Sequence, residues 1–130
     1  MTKEVVQKDR STDLGVVRIN NEAIMTIAAA AANEIRGVYS LGGGIRTAMH
    51  ELLFRRTHSK GVRIQMREGD VKLSVSIVVE YGADIPGVAD EVQGNVKRAV
   101  EKMTGLVLSS VDVIVEGVHA KIAHEKERSI

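Results

Sequence analysis

The histidines offer the readiest chemistry in this sequence at neutral pH, as metal ligands or proton carriers: His50, His58, His119 and His124. Their spacing does not build a site. His119 and His124 stand five apart, not the four that aligns two ligands on one helical face. No His-Glu-x-x-His pattern accompanies any of them. They read as solvated surface side chains, and neither a metal nor a cofactor is expected. Cysteine is absent, which removes disulfides, thiolate ligands and thiol nucleophiles together and fits a reducing compartment. A phosphate cradle would have to come from Gly42-Gly43-Gly44, but the residues after it, Ile45-Arg46-Thr47, satisfy neither the P-loop nor the dinucleotide pattern. A flexible connection explains them better. There is no Gly-x-Ser-x-Gly elbow, so the sequence reads as a non-enzyme.

Charge is the other candidate for function. The chain as a whole is nearly neutral, with 18 basic and 17 acidic side chains, and it creates no global field for polyanions. Locally, Arg46, Arg55, Arg56, Lys60, Arg63 and Arg67 face a single acid, Glu51. That segment is a candidate surface for an acidic partner or anion, and a nucleic-acid-binding module is the alternative function it suggests. The means for RNA are sparse. Aromatic residues make up 2% of the chain, and no two glycines stand three apart as the Gly-x-x-Gly clamp requires.

The elements that would position these residues follow from periodicity. With 130 residues the chain suits one domain, which buries roughly two-thirds of its unfolded surface. Residues 1–14 mix both signs of charge and read as a flexible N-terminal segment, not a signal peptide. Residues 15–118 read as a single domain and 119–130 as a polar tail. No stretch reaches the ~20 apolar residues that cross a bilayer. A short strand over Gly15–Ile19 leads to an Asn20 cap and a helix. Its stripe is Ile24, Ile27, Ala28, Ala31 and Ile35, and it ends at Gly37. Residues 38–41 suggest a short strand and 45–56 a short helix.

From Gly61 the alternation of Val62, Ile64 and Met66 with Arg63, Gln65 and Arg67 predicts a hairpin through Glu68-Gly69-Asp70. The return strand puts Val71, Leu73, Val75, Ile77, Val79 and Tyr81 on one face. A second helix opens at Pro86 and buries Ile85, Val88, Ala89, Val92, Val96, Ala99, Val100 and Met103 before Gly105. The last strand, Leu106 to Val118, puts Val107, Val111, Val113 and Val115 toward the core. Leu106, Leu108, Ile114 and Val118 form an apolar strip on the opposite face, a candidate self-association surface. The fold class is α+β: a two-layer sandwich, its sheet mixed or antiparallel, with two main helices on one face.

The ordered series Gly15-Val16-Val17-Arg18-Ile19, Gly37-Val38-Tyr39-Ser40-Leu41, Lys60-Gly61-Val62-Arg63-Ile64 and Val78-Val79-Glu80-Tyr81-Gly82-Ala83-Asp84-Ile85-Pro86 resembles the alkaline-shock/Gls-type general stress protein family. Val92-Gln93-Gly94-Asn95, Met103-Thr104-Gly105-Leu106 and Val111-Asp112-Val113-Ile114 extend the resemblance, which covers about Leu14 to Ala120. It implies a bacterial cytoplasmic protein of envelope stress and cell-envelope homeostasis, self-associating and held at the inner membrane face by a membrane-anchored protein partner. It implies no catalytic residues. Residues 42–59 are the part least like the family.

Overall fold

The computed structural model describes residues 4–6, 14–42 and 61–120. Two short strands, β1 (Glu4–Val6) and β2 (Arg18–Asn20), pair antiparallel as a ribbon apart from the main sheet. Glu4–Val6 therefore has a partner, although its mixed-charge sequence suggests a flexible segment. Helix α1 (Asn21–Asn33) starts where Asn20 Oδ1 accepts the Glu22 N–H at 2.7 Å. Its alanines put Ala28, Ala29, Ala31 and Ala32 in the core beside Ile24.

The main sheet holds β3 (Val38–Leu41), β4 (Val62–Arg67), β5 (Asp70–Glu80) and β6 (Ser110–His119). Strand β5 is central and β6 lies parallel to it, so the sheet is mixed. On the other side β3 and β4 occupy one line, both antiparallel to β5. Strand β3 opposes residues 77–79 and β4 opposes 70–75. At the seam between them, the Gly42 N–H donates to Ser76 O at 2.7 Å, and the Ser76 N–H donates to Gly61 O at 2.8 Å. Gly42 and Gly61 thus share the place opposite Ser76. A Cβ on Gly61 would lie 3.0 Å from Gly42 O, and its φ of +88° also favours glycine. The expected helix at 45–56 lies outside the described residues.

Helix α2 (Ile85–Thr104) fills the layer beside α1 and makes the long connection that a parallel pair requires. Its buried residues, Val88, Val92, Val96, Val100 and Thr104, recur every four positions, one continuous ridge on the helix surface. They meet Leu73, Val75, Ile77 and Val79, the inward face of β5. Pro86 in the first turn and Gly105 at φ +80° fix the two ends. Ile85 and Met103, which the periodicity places inside, are 38% and 68% exposed, because they stand off this ridge at the helix ends. Tyr81 is also exposed, since β5 has already ended at Glu80.

Two polar clasps join the layers. Asn95 Nδ2 of α2 donates to Ala31 O at 2.8 Å and to Glu34 Oε1 at 3.1 Å, which satisfies a carbonyl near the end of α1. Further along α2, Lys97 Nζ donates to Glu101 Oε2 at 2.7 Å and to Leu108 O at 3.1 Å. Glu101 Oε2 also accepts the Leu108 N–H at 2.8 Å. This clasp fixes residues 105–109 as an irregular connection, so the strand begins only at Ser110.

Candidate interaction surface

The helices α1 and α2 cover one face of the sheet, and among the described residues no element lies on the other. Residues facing outward alternate with the core series: Arg63, Gln65 and Arg67 on β4, Lys72, Ser74, Ser76, Val78 and Glu80 on β5, Asp112 and Ile114 on β6. Tyr39 and His119 stack across the end of this face, with ring centroids 3.8 Å apart and planes 3° from parallel. Half-buried Val78 lies beside Gly117, which has no side chain to cover it. With Ile114 at 43% exposure and Tyr39 at 50%, these residues make a small apolar patch inside a charged rim.

This patch differs from the apolar strip that alternation predicts. Leu108 is 2% exposed and Leu106 packs against the core, while Val107 is 76% exposed. The reason is the clasp on Leu108: residues 106–109 are not strand, so period-two counting does not apply to them. At the other end a bulge in β6 changes the faces. Ile77 pairs with Val115 but Val78 pairs with Gly117, which leaves Glu116 as the extra residue. Val118 is then opposite Val79, on the helix side, and half exposed there. Of the four strip residues only Ile114 remains on the outer face. Val111, Val113 and Val115 do face the core, as the alternation requires.

The basic segment is split. Arg46, Arg55, Arg56 and Lys60 lie outside the described residues, whereas Arg63 and Arg67 are exposed on β4 at the outer face. His50, His58 and His124 also lie outside. Among the described residues no group of three or more histidines and acids is close enough to hold a metal. Gly43 and Gly44 are outside too, and Gly42 is a hydrogen-bonded part of the sheet edge.

Sequence reasoning missed the Tyr39–His119 stack, because the two residues meet only when β3 and β6 flank the same strand. It also missed a hollow of about 430 Å³ at the joined ends of α1, β5 and α2, where Arg36, Glu80, Asp84 and Glu91 converge. No serine, threonine, cysteine, lysine or histidine lines that hollow, so it lacks a nucleophile. The resolved carboxyl perturbation is elsewhere: Glu101 is held below the usual carboxylate range, chiefly by its hydrogen bond from Lys97 and then by the Leu108 N–H. Its setting is the structural clasp, not a cleft. No helix among the described residues is long and apolar enough to cross a membrane.

Known proteins share this sequence over most of its length. YqhY of Bacillus subtilis (strain 168) is 34% identical over 107 residues, which cover 82% of this chain and 79% of the relative. YloU of the same organism is 32% identical and covers 82% of this chain and 91% of its own. A stress response regulator gls24 homolog of Streptococcus pyogenes serotype M3 (strain ATCC BAA-595 / MGAS315) is 25% identical, over 96% of this chain and 73% of the relative. Among solved structures, a variant of the MamM C-terminal domain aligns with a TM-score of 0.46 at 19% identity, over 75% of this chain and 98% of that one. The match to a family of cell envelope-related function spans residues 9–120, nearly the whole domain, and the chain accordingly belongs to that family, the alkaline shock protein 23 family.

Proposed function

We propose that this protein serves cell-envelope homeostasis under stress as a non-enzymatic binding protein, with the outer face of its sheet as the docking surface. The observation that carries this reading is the open face itself, an apolar patch of Val78, Ile114 and the Tyr39–His119 stack within a rim of both charges. Family membership and relatives named as stress response regulator homologs support the envelope and stress context. The sheet edges are poor alternatives. Strands about 4.8 Å apart make three strand positions about 14 Å wide, while two helices side by side span about 20 Å and overhang both edges. In this reading the protein works in the bacterial cytoplasm and reaches the inner membrane face through a membrane-anchored partner.

Ile114→Lys tests the surface and Val113→Lys, one position along and facing the core, is its control. Ile114→Lys should keep the far-UV circular dichroism and lose the partners that wild type retains at high salt in a pull-down from the native host. Val113→Lys should fail to fold. If Ile114→Lys unfolds the protein as thoroughly, or keeps every salt-resistant partner, the outer face is not the docking surface.

A further inference from the structure

We infer that the outer face is self-complementary and that its occupant is a second copy of this chain, related by a two-fold axis running along β5. This rests on the outer face being the docking surface. The register places Arg63, Ser74 and Asp112 in one row across β4, β5 and β6. Opposite charges thus stand at the two ends of a row about 10 Å long, with a small hydroxyl between them. Neither Arg63 nor Asp112 makes an ion pair or side-chain hydrogen bond among the described residues.

A two-fold axis along the central strand exchanges the two sides of the sheet while keeping each row level. Arg63 then meets the partner's Asp112, Asp112 meets the partner's Arg63, and Ser74 faces its own copy at the axis, where its small size lets the sheets approach. The same operation brings the Val78 side chains together at the axis and lays Tyr39 over the partner's His119. Paired patches of this kind are what an isologous interface requires. An axis across the strands would instead leave Arg63 opposite Ser40 and set Asp112 beside another acid, Glu116. Lys72 and Glu80, at opposite ends of β5, meet their own copies under the chosen axis. Both are exposed and at the ends of the strand, so this repulsion weakens the dimer without blocking it.

Charge reversal gives a test in which folding and pairing are separated. Arg63→Asp and Asp112→Arg each place like charges at both contacts of the homodimer, but an equimolar mixture of the two restores opposite charges at both contacts of a heterodimer. Sedimentation should show wild type as a dimer, each single variant dissociating at least about tenfold more readily, and the mixture recovering the dimer mass. Native mass spectrometry should identify the recovered species as one chain of each variant, which also shows that both fold. The inference is overturned if wild type is monomeric at the highest concentration, if either variant dimerises like wild type, or if the mixture stays monomeric. Should one of those results coincide with loss of host partners in Ile114→Lys, the docking face stands and its occupant is a different protein. Should Ile114→Lys keep those partners, the docking face itself fails.

Discussion

Deleting residues 43–60 and joining Gly42 directly to Gly61 should leave the domain folded. The two glycines already stand together opposite Ser76, one through its N–H and the other through its carbonyl. Joined, they form a bulge of two residues against one, an arrangement antiparallel strands accommodate. Every position of β5 from Asp70 to Val79 keeps a neighbour on this edge, because β3, the two glycines and β4 supply it. Closing a loop of 18 residues costs about 2.5 kcal/mol in chain entropy, and deletion recovers that amount less about 1 kcal/mol for the local strain of a bulge. The net gain is about 1–2 kcal/mol, which for a domain of this size raises the melting temperature by about 4–8 °C. Differential scanning calorimetry of the deletion variant beside wild type measures it. A melting temperature lower by more than a few degrees, or loss of the cooperative transition, refutes the reasoning: residues 43–60 would then pack on the domain, and the seam would not be a free insertion point.

Two further outcomes bear on the packing. Gly37→Ala puts a Cβ 2.7 Å from Val88 Cγ2 in a backbone at φ +103°, so it should cost more than about 2 kcal/mol in urea unfolding, and a cost below about 0.5 kcal/mol would show that α1 and α2 give way there. Glu101→Gln tests the clasp through pH: a carboxyl lowered in the folded state stabilises above its unfolded value and loses that contribution as pH falls through the folded one. The wild type's advantage in urea midpoint should therefore be full above about pH 5 and gone by about pH 3, and a gap unchanged with pH would deny the clasp an electrostatic role.

Period and punctuation made most of this fold readable in the sequence. Alternation from Val62 to Val79, the Asn20 cap, Pro86 and Gly105 are local signals, and each element they predict is present. What escaped is set by contacts distant in the chain. Leu106 and Leu108 alternate with Val107 as strand residues do, but a carboxylate seven residues back holds Leu108 and turns it inward. The bulge at Glu116 shifts Val118 by one place, and hydrophobicity carries no trace of it because both Gly117 and Val118 fit a strand. The interaction patch needed the strand order as well. Tyr39 and His119 stand 80 positions apart, and Ile114 is informative only once Leu106, Leu108 and Val118 are removed from its company.

The parallel pairing of β5 with β6 has a consequence for how the chain acquires its structure during synthesis. The β4–β5 hairpin closes through a two-residue turn, and β3 and α1 precede it, so these parts are available early as the chain leaves the ribosome. Strand β6 is the last element, and it reaches β5 only after the whole of α2 has been made. Until residue 119 is free, one edge of β5 has no partner, and Leu73, Val75 and Ile77 lack Val111, Val113 and Val115 beside them. Such late, non-local pairing is intrinsically slow and leaves a transient strand edge open to other nascent chains. The vulnerable species in the life of this protein is therefore a chain arrested or truncated before β6, with its hairpin formed and its central strand half paired.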